Sequence, residues 1–333
     1  MTREGMSARL KNFPSWGFVS GRLSVLEERF AGKDFFTALI ALENLGDVVP
    51  HLQDTFLREY LAPGTAWEDF SSLADRCLHE TALSIRAECP SSIPVDLFLL
   101  PHDYLNLKCA LLRETVSPFP RGVFHEELLQ AVAHGEHGDL PETLRQGEGW
   151  SVTDMTQIDP VDLDIILDGA YMRHLIMLSS AMDSELMAGY MHERIQAHIV
   201  TVFWRAAKQH FPFRRFQQHL LPMGEFTALI NDLAGQGNPE LWPAMVGGGV
   251  GDVLSEALEM ENGEQVAGFT LKMANRLMGR AKEGRLQTAG PERVFSFMAG
   301  MSAEMANLKL VVSGRLSRIE RGLLRQRLRE GYV

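Results

Sequence analysis

Hydrophobic residues recur at helical spacing along most of the chain. Leu23, Leu26 and Phe30 lie three and four residues apart, which places them on one face of a helix. Longer patterns of the same period run from 161 to about 182 and from 185 to 209. Alternating patterns of the kind that strands show are almost absent. The sequence therefore predicts an all-α fold, with many helices joined by short loops.

Glycine, proline and charged residues interrupt these patterns in two places. Residues 133–150 are rich in glycine and charge, which predicts a loop or a boundary between lobes. Residues 235–252 combine glycines with prolines and predict further loops between shorter helices. The tail then predicts two more helices, over about 291–313 and 317–330.

One short phrase occurs twice. Residues 103–113 read DYLNLKCALLR and residues 304–316 read EMANLKLVVSGRL, so an acid is followed three residues later by Asn-Leu-Lys in both. An asparagine in a helix interior is a modest liability, because its amide competes for backbone partners. Its recurrence in matched surroundings predicts equivalent helices in two lobes, organised by Asp103, Asn106, Lys108, Glu304, Asn307 and Lys309.

A weaker third copy lies at 194–207, in the middle of the chain. When it is aligned on its apolar run, His198 takes the position of the asparagine. Ile195 and Val200 replace the acid and the lysine, so this copy is weak support by itself.

The formal charge of −11 disfavours general nucleic-acid binding, which depends on Lys and Arg neutralising phosphates. The charge is uneven, because residues 314–333 hold six arginines against two acids and leave about −15 for the rest. A solvated amphipathic helix explains this run, and so does an end that docks on an acidic partner. The docking interpretation has four candidate residues: Arg315, Arg318, Arg321 and Arg325.

Cysteine usage and hydropathy predict a cytoplasmic protein. Cys77, Cys89 and Cys109 are odd in number and form no CxxC pair, which favours free thiols in a reducing compartment. The sequence shows no basic and apolar leader. The longest apolar stretches fall well short of the roughly 18–20 residues that span a bilayer.

Motifs for catalysis are weak. HERIQAH (192–198) resembles a zinc-protease signature, but its two histidines are six residues apart and point about 120° apart on a helix. GGGVGD (247–252) lacks the Gly-Lys-Ser/Thr end of a phosphate loop, which favours a hinge or a helix N-terminus. Asp164 and Asp168 share a helix face, although helix capping and a solvated or interfacial face account for them. One enzymatic alternative stays open: a helical metal-dependent hydrolase whose site is assembled from distant His and Asp residues.

Four segments carry a resemblance to a known family, and they are distributed along the chain from residue 17 to residue 333. They are 17–45, the phrase at 102–113, DLDIILDGAYMRHL at 162–175 with its Asp168, and the C-terminal 291–333. In order and length they resemble the central-stalk socket of V-type and archaeal-type rotary ATPases, the family whose members are designated C in these enzymes and d in eukaryotes.

The resemblance implies a non-catalytic rotor subunit without cofactors. It implies three similar helical lobes, approximately 1–120, 121–220 and 221–333, arranged as a funnel with pseudo-threefold symmetry. One copy of the funnel would sit on the cytoplasmic face of the membrane proteolipid ring and receive the central shaft of subunits D and F. It would thereby couple ATP synthesis or hydrolysis to proton or sodium transport.

Overall fold

The computed structural model describes residues 14–61, 66–112, 119, 122–136, 140–146 and 158–333. These residues form helices and no strand, so the all-α prediction is confirmed. The α-helices are α1 Trp16–Leu26, α2 Lys33–Ala41, α3 Val48–Leu52, α4 Phe70–Arg86, α5 Ile93–Leu111, α6 Glu126–Ala133, α7 Glu142–Arg145, α8 Pro160–Ser180, α9 Glu185–Lys208, α10 Phe213–Leu220, α11 Thr227–Gln236, α12 Trp242–Val246, α13 Gly248–Leu258, α14 Gln265–Arg285, α15 Pro291–Leu316 and α16 Arg321–Arg327. Short 3-10 turns lie at Glu27–Arg29, Leu45–Asp47, Phe56–Glu59, Trp67–Asp69, Gly224–Phe226 and Pro239–Leu241.

Six of the longest helices form three consecutive hairpins. The first pairs α4 with α5, the second α8 with α9, and the third α14 with α15. Connections of four to six residues join the two helices of each hairpin. Shorter helices precede each hairpin, so the same order of short helices and then a long pair recurs along the chain.

The three hairpins pack against one another in a closed cycle. The second helix of each one contacts the first helix of the next: α5 packs on α8, α9 on α14, and α15 on α4. The buried apolar residues of all three hairpins belong to one continuous core. Helices α1 and α2, the first that the structure describes, pack on α15 of the third hairpin.

Side-chain caps begin both helices of the second hairpin. Asp159 accepts a hydrogen bond from the Val161 N–H (2.8 Å) ahead of α8, with Pro160 at the first helical position. Ser184 accepts one from the Met187 N–H (3.3 Å) and begins α9. Both helices end within two residues of their predicted ends.

The end of α15 differs from the sequence prediction. Helix α15 continues to Leu316, and α16 covers only Arg321–Arg327. Arg318 adopts a left-handed conformation (φ 55°), while the Ile319 N–H bonds back to the Gly314 carbonyl at 2.8 Å. This is the Schellman type of helix end, with arginine in the place that glycine usually fills.

The predicted loops at 235–252 are wrong over much of their length. Helix α12 lies inside this segment, and α13 begins at Gly248, so GGGVGD is a helix N-terminus. A Cβ on Gly251 would lie 2.6 Å from the Pro243 carbonyl oxygen, so this glycine permits close contact between helices. In the other predicted loop, 133–150, Glu142–Arg145 form α7, and residues 137–139 and 147–150 lie outside the described residues.

Alanine substitution at two glycines of α14 should have opposite effects on the stability of the fold. A Cβ on Gly284 would lie 2.5 Å from the Glu292 carbonyl oxygen of α15, whereas a Cβ on the exposed Gly279 meets nothing within 4 Å. We expect Gly284→Ala to lower the free energy of unfolding by about 1–3 kcal/mol through overpacking. Gly279→Ala should raise it by about 0.5–1 kcal/mol, because alanine favours the helix. Urea unfolding of both variants measures this, and equal effects would contradict the close helix contact at Gly284.

Candidate partner-binding cavity

Helix α5 holds a segment of chain that crosses it. The Asn106 amide donates to the Phe119 carbonyl (2.9 Å) and accepts from the N–H of the same residue (3.1 Å). One helical turn earlier, the Asp103 carboxylate accepts from the N–H groups of Gly122 (2.8 Å) and Val123 (2.5 Å). Asp103 and Asn106 are fully buried, so these bonds satisfy groups that would otherwise be costly to bury.

Helix α15 repeats the asparagine clamp on the C-terminal segment, while its acid bonds a different part of the chain. The Asn307 amide donates to the Arg329 carbonyl (2.9 Å) and accepts from the Arg329 N–H (2.9 Å). Glu304, one turn earlier, accepts from the Ala31 N–H (2.8 Å). Each asparagine of the repeated phrase therefore pairs with both backbone groups of a single residue.

The two crossings also agree in register. In each helix, the residue four positions before the acid (Leu99 or Gly300) contacts the crossing segment. The residue that it contacts (Gly122 or Tyr332) lies three positions after the one that the asparagine binds. A Cβ on Gly122 would lie 2.7 Å from the Leu99 Cβ, and a Cβ on Gly300 would lie 2.5 Å from the Tyr332 ring. The weaker third copy makes no such clamp among the described residues, since His198 instead lies 3.6 Å from Asp168.

Burial shifts the pKa of both acids upward. It raises the pKa of Glu304 to about 8, against the opposing hydrogen bond from Ala31. It raises the pKa of Asp103 to about 6, against opposing hydrogen bonds from Val123 and Gly122. The second oxygen of Glu304 has no hydrogen-bond partner among the described residues, which fits a site where the neutral acid is favoured.

The raised pKa of Glu304 predicts that the folded chain becomes less stable as the pH rises. Because its pKa is higher in the folded chain than its ordinary value of 4.5, the folded chain binds the proton more tightly, and stability falls between about pH 4.5 and pH 8. Glu304→Gln keeps an oxygen that accepts from Ala31 but carries no charge. We expect it to match wild type near pH 5 and to exceed it by at least about 1 kcal/mol at pH 9.

Urea unfolding across this pH range measures the difference between the two proteins. Glu283→Gln, an exposed substitution in α14, is the matched control and should show no such trend. A constant difference between Glu304→Gln and wild type at every pH would contradict the interpretation.

The lysines of the repeated phrase connect successive hairpins. Lys108 on α5 pairs with Asp164 on α8 (2.5 Å), and Lys309 on α15 pairs with Asp75 on α4. At the remaining junction, between α9 and α14, the acid lies on the second helix of the earlier hairpin and the basic residues lie on the first helix of the next. There the buried Glu193 accepts from two arginines of α14, Arg276 (2.8 Å) and Arg280 (3.4 Å).

Two adjoining cavities lie among the hairpins. The first, of about 370 Å³, is lined by residues of α4, α5, α9, α14, α15 and the C-terminal segment. The second, of about 400 Å³, is lined by α8, α9, α14 and the same segment. Arg194, Ala274, Leu277 and Arg329 line both, so the cavities share a wall. All six hairpin helices thus contribute to one recessed region that could hold a protein segment.

The C-terminal arginines differ in their surroundings. Arg315 donates to the carbonyls of Ile40 (3.1 Å) and Glu43 (2.7 Å), and Arg321 donates to the Leu42 carbonyl (3.0 Å). These two arginines fasten the C-terminal segment to the last turn of α2 and the two residues that follow it. Arg318 and Arg325 are exposed and make no ion pair with a described residue. They remain the candidates for an external partner.

The residues considered for catalysis are dispersed. His192 lies 3.5 Å from Glu225, whereas His198 faces Asp168 on another helix. Asp164 is occupied by Lys108. Within the described part of the chain, no group of three or more His, Cys, Asp and Glu side chains is placed to hold a metal ion.

Sequence reasoning misses several residues of this region. Asp75 offers a signal, since it stands near the start of the first helix of its hairpin, as Asp164 does. Arg194 offers none, because a single arginine in an amphipathic segment is commonly a surface residue. Arg329 belongs to the arginine-rich run at 314–333, but the sequence does not distinguish it from the other arginines there. Tyr332 enters the sequence prediction only through the C-terminal resemblance, although it is buried against Gly300.

Comparison with known proteins identifies the family. Among the described residues, no helix is long and apolar enough to cross a membrane. A search of curated proteins found no match. The profile of the ATP synthase (C/AC39) subunit family matches residues 19–327, which is more than nine-tenths of the chain. The chain therefore belongs to the ATP synthase (C/AC39) subunit family, as the resemblance of its repeated phrase and C-terminal helices predicts.

Proposed function

We propose that this chain is the non-catalytic rotor subunit that joins the central shaft, subunits D and F, to the membrane proteolipid ring. In this proposal one copy sits on the cytoplasmic side of the ring, without crossing the membrane. The shaft foot enters the recessed region between the hairpins. Torque then passes through the subunit and couples ATP chemistry elsewhere in the complex to proton or sodium transport.

The cyclic packing of the three hairpins is the observation that carries the proposal. Each hairpin contacts the next through equivalent helices, and the two cavities lie among them. Three similar lobes around an axis, approximately 1–120, 121–220 and 221–333, would produce this arrangement. The matched clamps of Asn106 and Asn307 support the same interpretation for the first and last lobes.

The contacts of the repeated phrase suit a torque joint. A joint needs lobes that do not shear against one another, and the Lys108–Asp164 and Lys309–Asp75 pairs cross two of the three junctions. Dense helix packing adds stiffness, because close-packed interiors resist deformation. We propose that the residues of the phrase serve this architecture and that the cavity provides the partner contact.

The hydrolase alternative has no specific support. Among its candidate residues, Asp168 and His198 face each other, but Asp164 pairs with Lys108 and His192 with Glu225, so the four do not converge on one position. We therefore do not propose an enzymatic activity.

Charge reversal of the exposed arginines tests whether the C-terminal segment docks on an acidic surface of a partner. We expect Arg318→Glu with Arg325→Glu to slow assembly with the shaft or the ring about tenfold at low salt, since rim charges act mainly on association rate. Reversal of Arg315 or Arg321 would also remove hydrogen bonds inside the chain, so it is a poorer probe. Arg58→Glu, an exposed reversal outside this segment, is the control. Equal rates for both reversals would remove the C-terminal surface from the proposal.

Reconstitution tests the proposed function. The purified chain is mixed with detergent-solubilised ring and with shaft subunits from the same cell, and the products are separated by size exclusion and weighed by native mass spectrometry. We expect one copy of the chain in a complex that contains both ring and shaft. Association with neither would overturn the proposal.

A further inference from the structure

The shared wall of the two cavities carries two arginines without acidic partners among the described residues. Arg194 on α9 donates to the Tyr171 hydroxyl (2.8 Å), which is neutral and leaves the guanidinium charge uncompensated. The Arg329 guanidinium makes no hydrogen bond or ion pair with any described residue. Both side chains line both cavities.

The fold fixes Arg329 in this position through its main chain. Asn307 holds both of its backbone groups, and the Asn275 amide of α14 accepts from the N–H of the next residue, Glu330 (2.8 Å). The main chain is therefore held on α14 and α15 while the guanidinium reaches water in the recess. The Arg329 residue is exposed, although desolvation by the neighbouring protein lowers its pKa.

The charges around the recess favour an anionic occupant. Its lining contains four cationic side chains, Arg194, Arg205, Lys309 and Arg329, against three acidic ones, Asp75, Asp168 and Glu330. Lys309 and Asp75 neutralise each other. The recess is thus locally positive in a chain whose formal charge is −11.

We propose that Arg194 and Arg329 form a carboxylate-binding pair that receives Asp or Glu side chains of the shaft foot. This inference rests on the proposed function and adds the chemistry of the contact. Arginine suits this role because its planar guanidinium binds carboxylates in a bidentate manner. The apolar wall of Ala274 and Leu277 beside the pair would pack against the uncharged part of the same segment.

Binding of the purified shaft subunits to variants of the full chain tests this inference. We expect Arg329→Gln to weaken the Kd about 30-fold or more, as truncation of one partner in a desolvated charge pair does. Its fold should persist, because Asn307 binds backbone groups of Arg329 and not its side chain. Arg194→Lys, which retains the charge but loses the fork, should weaken binding by a smaller factor.

Two controls separate this inference from the proposed function. Arg58→Gln removes the same charge from an exposed position outside both cavities and should leave the Kd within about threefold of wild type. A reciprocal scan replaces each acid of the shaft foot by lysine. One of these shaft variants should bind the Arg329→Glu chain more tightly than the wild-type shaft binds it. Wild-type binding with an unchanged Kd for Arg329→Gln would overturn the carboxylate pair alone. Absence of wild-type binding to the shaft would overturn the proposed function together with the pair.

Discussion

Tyr332→Ala should lower the free energy of unfolding by about 3–5 kcal/mol, the largest effect that we expect from a single substitution. The Tyr332 ring is 1% exposed and lies 4.6 Å from the Phe30 ring, measured between centroids. The Arg285 guanidinium covers the ring at 5.1 Å. Its hydroxyl donates to the Glu27 carboxylate at 2.6 Å. Tyr332 therefore fills a core position between the segment that follows α1 and helices α14 and α15.

Tyr332→Phe separates the ring from the hydroxyl. Glu27 keeps its ion pair with Arg293 (2.6 Å), so this variant should lose only about 1–2 kcal/mol. Urea unfolding provides both values, and hydrogen exchange of α1 should increase far more in the alanine variant. Equal losses in the two variants would mean that the ring contributes no packing, which would contradict its burial.

Asn307→Ala should lower the free energy of unfolding by about 2–3 kcal/mol. The amide satisfies both the N–H and the C=O of Arg329, and its loss leaves two backbone groups without their partner. The effect should concentrate in the C-terminal segment, because Asn307 is its attachment to α15. Exchange of the amide hydrogens at 328–333 should therefore accelerate more than exchange in the hairpins.

Two further variants serve as a matched comparison and as a control for Asn307→Ala. Asn106→Ala makes the equivalent change on α5 and should produce a loss of similar size, as the matched clamp on Phe119 requires. Asn262→Ala, at an exposed position, should change stability by less than about 0.5 kcal/mol. A loss at Asn307 below about 0.5 kcal/mol would contradict the clamp as an anchor of the tail.

The sequence identifies the acid and asparagine of the phrase but not what they bind. Asn106 and Asn307 are conspicuous because an amide inside an apolar helix needs a partner. Their partners contribute only backbone N–H and C=O groups, which every residue except proline has. Phe119, Arg329 and Ala31 therefore carry no side-chain signature that pattern reasoning could detect.

Glycine explains the error at 235–252. Sequence reasoning treats glycine as an interruption, which is correct at Gly237 and Gly247, where φ is 65°. Gly251 is helical and permits contact with the Pro243 backbone, so it belongs to the packing of α12 on α13. The two roles look the same in a single sequence, and only tertiary contacts separate them.

Local sequence patterns cannot predict the recessed region, because it depends on tertiary contacts. Arg194 and Arg329 are far apart in the chain, and only the packing of α9 beside α14 and the tail brings them together. Helical period predicts which face of each helix is apolar. It does not predict which of the remaining polar faces surround a cavity.

Photo-cross-linking from the cavity wall tests most directly whether this region holds the shaft. A photoreactive amino acid replaces Ala274, which lines both cavities, and a control places it at the exposed Glu259. In the assembled complex, we predict cross-links from position 274 to the shaft subunits and none to them from position 259. Cross-links from 274 only to other subunits, in complexes that contain the shaft, would contradict the account.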